Sequence, residues 1–126
     1  MALILIVEDY PSLQKIYSMA AEESGHKVLL AKDGAEALKQ ATQNTPDLIL
    51  LDLLMPSVSG AEFLKKYDLK KHPNTKVIVF SNMDTPVLRS ELSGLGVTAY
   101  FTKSEYTPKQ LMEIIDNTLN DKPAAT

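Results

Sequence analysis

A doubly wound α/β fold, with five βα units building one parallel five-stranded sheet, is what these 126 residues predict. Three observations carry the prediction. Five short apolar runs alternate with segments of helical period. The runs start about 21 to 28 residues apart, the length of one βα unit. Three of them are apolar without alternation, the pattern of strands buried on both faces in a helix-covered parallel sheet.

The elements follow in order. Leu3–Val7 is the first run, continuously apolar. Leu13, Ile16, Tyr17, Ala20 and Ala21 then repeat at i, i+3, i+4, i+7 and i+8 on one helix face. Pro11 suits that helix's first turn, and Gly25 sits just past its end. Lys27–Ala31 is the second run, followed by the weakest helix, marked by Ala37, Leu38 and Ala41. Leu48–Leu51 is the third, and Phe63, Leu64 and Tyr67 mark the helix after it. Lys76–Phe80 is the fourth. Leu88, Leu92 and Leu95 follow it, opened by the cap Thr85 before Pro86 and closed by Gly94. Thr98–Phe101 is the fifth. Leu111, Met112, Ile115 and Leu119 complete the chain's last helix, opened by Thr107 and Pro108. None of the seven prolines falls inside a predicted strand or helix.

At this size an open sheet is favoured over part of a barrel. Right-handed crossovers place helices on both its faces. The strand order 2-1-3-4-5 is carried over by analogy from the flavodoxin-like class, in which ligands bind beyond the carboxyl ends of the strands. Residues 1–120 are expected to form one domain and residues 121–126 a short polar tail, with no output domain.

Composition narrows the chemistry. There is no Cys, so disulfides, thiol catalysis and thiolate metal sites are excluded. The two histidines, His26 and His72, cannot make a metal cluster and read as solvated loop residues. A net charge of −3 lacks the positive excess that drives direct nucleic-acid binding. No apolar stretch approaches the ~20 residues of a membrane helix. The start, MALILIVEDYP, has no basic segment of the kind a signal peptide carries. A cytoplasmic domain without membrane contact is the expectation.

The residues just after the runs carry the functional signal: Glu8 and Asp9, then Asp52, Ser81, and Thr102-Lys103. Parallel strands bring them to one sheet edge. Two carboxylates ~5 Å apart repel by on the order of 3 kcal/mol at an effective dielectric near 20. Lys103 offsets part of this, and a divalent cation would offset more. All-oxygen ligands favour Mg²⁺ or Mn²⁺ over zinc. Such an edge suits a phosphoryl group. Asp52, the lone acid, is the candidate nucleophile, and the Glu8-Asp9 pair serves a metal. Ser81 and Lys103 would contact phosphoryl oxygens. Phosphoryl transfer is mostly positioning and charge neutralisation, so no separate base is required.

The ordered set resembles a response-regulator receiver domain of two-component signalling, of the stand-alone chemotaxis-regulator type, over essentially the whole chain. The matching segments are IVEDYP, LILLDLLMPSVSG with Asp52, Pro56 and Gly60, VIVFS with Ser81, and AYFTK with Tyr100 and Lys103. The resemblance implies a phosphoryl group received on Asp52, with Mg²⁺, from a sensor histidine kinase or phosphotransfer protein. It implies direct metal ligation by Asp9 and Asp52, Glu8 acting mainly through water, and the Leu54 carbonyl as a further ligand. It also implies that Ser81 and Tyr100 switch together. The face of helix 4, strand 5 and helix 5 would then be read by a downstream target protein.

Three departures stand out. Ser104 follows Lys103 where the family commonly has a cis proline. A cis bond before Ser costs roughly 2.5–4 kcal/mol, so a trans bond is expected. Asn82 follows Ser81 where a smaller residue is common, and is expected to narrow the site. Leu54 and Met83 are apolar at positions where the family's trend predicts slow self-dephosphorylation. Competing readings are a pseudo-receiver that binds partners without phosphorylation, a haloacid-dehalogenase-type phosphatase and a flavin carrier. The phosphatase lacks its second aspartate, because Leu54 stands two past Asp52. The flavin carrier lacks a glycine-containing phosphate loop after the first strand. The lysines at 65, 66, 70 and 71 read as a solvated face.

Overall fold

The computed structural model describes residues 2–54, 59–83 and 85–120. Pro56 and the 121–126 tail lie outside the described residues. Five parallel strands, β1 (Leu3–Val7), β2 (Lys27–Ala31), β3 (Leu48–Leu51), β4 (Lys76–Ser81) and β5 (Ala99–Thr102), form one sheet in the order β2-β1-β3-β4-β5. The helices between and after them are α1 (Pro11–Glu23), α2 (Gly34–Asn44), α3 (Gly60–Tyr67), α4 (Pro86–Gly94) and α5 (Pro108–Leu119). Two short 3₁₀ turns, Leu69–Lys71 and Lys103–Glu105, have no counterpart in the apolar pattern.

Hydropathy decides which strands are central. The three continuously apolar runs are β1, β3 and β4, in the middle of the sheet. The two more polar runs are the edges. Alternate side chains of the central strands feed two cores. Leu5, Val7, Ile49, Leu51, Val77 and Val79 face Ala37 and Ala41 of α2, Phe63 and Leu64 of α3, and Leu92 of α4. Ile4, Ile6, Leu48, Leu50, Ile78 and Phe80 face Tyr17 and Ala21 of α1 and Leu111, Met112 and Ile115 of α5. The alanine-poor face thus takes two helices and the other takes three.

Local signals set the helix starts. Pro11, Pro86 and Pro108 each occupy a first helical position. Thr85 accepts from the Leu88 N–H at 3.1 Å, and Thr107 forms a reciprocal capping box with Gln110. The Asp33 and Ser59 side chains cap α2 and α3 by accepting from the Glu36 and Glu62 N–H groups. One stop differs from expectation. Gly94 is the last residue of α4, and the left-handed turn after it belongs to Gly96, at φ +95°. The helix therefore ends on the first available glycine, and the second supplies the conformation that L residues avoid.

The histidines correct a second expectation. His26 is not a solvated loop residue. Its Nδ1 accepts from the Ala2 N–H at 3.1 Å, and its Nε2 lies 2.7 Å from Asp116 Oδ1 of α5. This geometry fixes the proton on Nε2 in the neutral ring. His72 stacks on Tyr67, with ring centroids 4.0 Å apart. The basic run does lie at the surface, with Lys65–Glu91 and Lys66–Glu62 pairs at 3.9 Å, weak in water.

Candidate functional site at the carboxyl edge

Strand register builds the site. Val7 of β1 lies beside Leu51 of β3, so Glu8-Asp9 and Asp52 leave neighbouring strands at one level. The Asp52 N–H extends the ladder to the Val7 carbonyl at 3.1 Å, and the Glu8 N–H does the same to Ala31 at 3.0 Å. Ser81 lies beside Thr102, which places Lys103 just beyond the end of β5. Gln14 of α1 clamps this edge, its amide donating to the carbonyls of Glu8 at 2.7 Å and Ala31 at 3.2 Å. Nothing in the apolar pattern marks Gln14, because it lies on the polar side of its helix repeat.

Gly60 explains why α3 can begin so close to Asp52. A Cβ there would stand 2.7 Å from the Asp52 carbonyl oxygen and 2.9 Å from Leu53 Cδ2. No side chain fits without moving the backbone that carries Asp52.

The charges converge as the strand ends predict. Lys103 Nζ is 3.0 Å from Asp52 Oδ2 and also donates to Glu8 Oε1. Glu8 Oε2 accepts from the Tyr10 N–H at 3.2 Å, and Asp52 Oδ1 from the Leu54 N–H at 3.2 Å. Glu8 and Asp52 are 2% and 6% exposed, so their charges sit largely out of water. Burial pushes the Glu8 carboxyl above its ordinary range, and the hydrogen bond and charge of Lys103 oppose that rise without cancelling it. Burial pulls the Lys103 ammonium down, but its bonds to Glu8 and Asp52 outweigh this and leave it above its ordinary value. At neutral pH the lysine is a fixed cation between two carboxylates.

One oxygen from each of Glu8, Asp9 and Asp52 lies within 4.8 Å of the other two. Asp9 Oδ1 is buried without a hydrogen-bond partner among the described residues. An unpartnered buried carboxylate oxygen is costly unless something meets it. The all-oxygen donor set suits a hard divalent ion, so these residues fit Mg²⁺.

The remaining residues sit nearby with defined partners. Ser81 is fully buried, and its Oγ accepts from the Met83 N–H at 3.2 Å. The Tyr100 hydroxyl donates to the Met83 carbonyl, and the Arg89 guanidinium lies 4.5 Å from the centre of the Tyr100 ring. Met83 thus touches both proposed switch residues through one short segment, a link that spacing alone does not reveal. Leu54 and Met83 are 52% and 37% exposed. Asn82 is not simply a narrower wall, because its Oδ1 accepts from the Ser104 N–H at 2.8 Å. The described peptide bonds are all trans, Lys103–Ser104 among them.

Comparison with known proteins matches residues 4–116 to the family described as response regulator receiver domain. The alkaline phosphatase synthesis transcriptional regulatory protein PhoP of Bacillus subtilis is 41% identical over 110 residues, covering 86% of this chain and 44% of that protein. The polar-differentiation response regulator DivK of Brucella anthropi is 34% identical over 123 residues, covering 94% of this chain and 96% of that one. Among solved structures, a CheY-like response regulator receiver domain protein from Methanospirillum hungatei superposes with a TM-score of 0.90 at 25% identity. That match covers 100% of this chain and 99% of the other. Against PhoP and two other curated relatives, this chain matches less than half of their length.

Proposed function

Since the chain belongs to the response regulator receiver domain family, we propose that it is a signalling phosphoacceptor whose acceptor is the Asp52 carboxylate. The donor in this reading is the phosphohistidine of a sensor histidine kinase or phosphotransfer protein. A carboxylate oxygen of Asp52 forms the new bond to phosphorus as the donor's N–P bond breaks. The electron pair stays on the imidazole nitrogen, and the product is an acyl phosphate.

Each neighbour has a task in that transfer. Lys103, already 3.0 Å from Asp52 Oδ2, neutralises charge on the arriving group. Ser81 leaves the Met83 N–H to hydrogen-bond a phosphoryl oxygen. Asp9, Asp52 and the Leu54 carbonyl would hold Mg²⁺, with Glu8 acting through water. When bound, that ion supplies charge neutralisation at the phosphoryl oxygens. The loss of the Ser81–Met83 bond loosens the segment that anchors Tyr100, which alters the face of α4, β5 and α5 for a downstream protein. This exchange takes place in the cytoplasm. Leu54 and Met83 flank the site as exposed apolar groups, and they slow the entry of hydrolytic water.

One observation carries the reading: three carboxylates cluster at the carboxyl edge, two of them on Lys103, with a buried Asp9 oxygen that has no partner among the described residues. Incubation with acetyl phosphate and Mg²⁺ tests it. Intact-mass measurement is expected to show one phosphoryl adduct on the wild type and none on Asp52→Asn. An unmodified wild type, with retained partner binding, would instead favour the pseudo-receiver.

A further inference from the structure

Two residues that depart from the family pattern meet each other. Asn82 Oδ1 accepts from the Ser104 N–H at 2.8 Å. A proline at 104 would have no N–H to give. The residue at 104 therefore creates a donor, and the residue at 82 supplies the acceptor for it. The bond spans two loops, one leaving β4 and one leaving β5. Ser104 is the residue after Lys103, within the 3₁₀ turn Lys103–Glu105. On the other side, Asn82 sits between Ser81 and Met83, whose own bond holds the start of the β4 loop.

We propose that Asn82 is a positioning residue for phosphoryl acceptance: through the Ser104 N–H it holds the 3₁₀ turn so that Lys103 stays on Asp52 and Glu8. The inference rests on the phosphoacceptor reading above. Its physical content is simple. A lysine carries several rotatable bonds, and its reach to a fixed carboxylate depends on where its backbone is held. One hydrogen bond at the following residue removes that freedom. Without it, Lys103 keeps its charge but samples positions off the carboxylate, and the arriving phosphoryl group meets less neutralisation.

Asn82→Ala, Asn82→Asp and Ser104→Pro, with the double variant Asn82→Ala/Ser104→Pro, test this in the full chain. Two quantities are read: the initial rate of adduct formation from acetyl phosphate with Mg²⁺, and amide hydrogen exchange at Ser104. A neutral hydrogen bond is worth about 1 kcal/mol, so its loss converts to roughly a fivefold change. Asn82→Ala is expected to slow adduct formation about 3- to 10-fold and to speed Ser104 exchange by a similar factor. Asn82→Asp keeps an acceptor oxygen and restores the slow exchange. In the Ser104→Pro background, Asn82→Ala should slow adduct formation by less than about twofold, because the shared bond is already gone. Wild-type rates in Asn82→Ala, or effects that multiply in the double variant, overturn the proposal. A wild type that takes up no phosphoryl group overturns the phosphoacceptor reading instead, while unchanged Ser104 exchange in Asn82→Ala overturns the bond on its own.

Discussion

At the amino ends of the strands, several polar side chains find specific partners. His26 bridges the Ala2 N–H and Asp116, Asp47 accepts from the Leu3 N–H at 2.8 Å, and Lys76 donates to the Thr118 carbonyl at 2.7 Å. Thr75, buried, donates to the Pro46 carbonyl at 2.7 Å. At the carboxyl ends, Glu8 and Asp52 share Lys103, and Asp9 keeps a buried oxygen without a partner among the described residues. The same residue types thus produce two outcomes. The amino end spends its hydrogen bonds on joining strands and α5 together. The carboxyl end holds like charges close and leaves part of their demand unmet, which is a cost to folding and a preparation for a ligand.

Opposite variants should separate the two ends. The largest effect belongs to Asp52→Asn, which is expected to abolish adduct formation by intact mass while the circular dichroism spectrum is retained. Lys103→Met should come next. It leaves Glu8 and Asp52 side by side without their cation, so uptake falls at least tenfold and stability drops by about 3 kcal/mol in denaturant titration. Gly60→Ala sharpens the comparison from behind the site. A glycine-to-alanine change in a helix ordinarily stabilises, but here the methyl group meets the Asp52 backbone, and a loss of about 2 kcal/mol is expected. His26→Ala should do the reverse of Asp52→Asn: stability falls by about 1–2 kcal/mol, and uptake stays within twofold of wild type.

The smallest effect is on pH dependence. The Glu8 carboxyl is raised above its ordinary value near 4.5, with burial as the main cause. A raised group stabilises the fold below that value and loses its contribution as pH rises through the folded value. In metal-free buffer the wild type should therefore lose stability relative to Glu8→Gln as pH climbs from about 4.5, and Mg²⁺ should reduce that loss. Lys103 is raised too, so its contribution persists through neutral pH and fades only above about 10.5. Denaturant midpoints across the pH range check both signs.

Much of this was legible in the order of residues. Continuous apolarity separated β1, β3 and β4 from the edge strands, because central parallel strands touch helices on both faces. Proline-threonine pairs located two helix starts, since a missing N–H and a hydroxyl acceptor act within a few residues. Residues after strand ends gave Glu8, Asp9, Asp52, Ser81 and Lys103, because parallel topology sends them to one edge. The strand order itself came only by analogy. What stayed hidden involves partners far apart in the chain. His26 and Asp116 are 90 residues apart, and no periodicity links them. Asn82 and Ser104 each looked like a local departure, and only the fold brings them together. Gly94 marked the end of α4 to within one residue, but the left-handed turn falls on Gly96, which the apolar spacing does not single out.

Helix α5 is tied differently at its two ends. Near its far end, Asp116 is fastened to His26 and the Thr118 carbonyl to Lys76. Its near end follows directly on the turn that carries Lys103. Between them the helix is a rod of 12 residues, about 18 Å long, with Leu111, Met112 and Ile115 set in the core. A displacement of the lysine turn would therefore enter α5 at its capped first turn, the end farthest from the histidine tie.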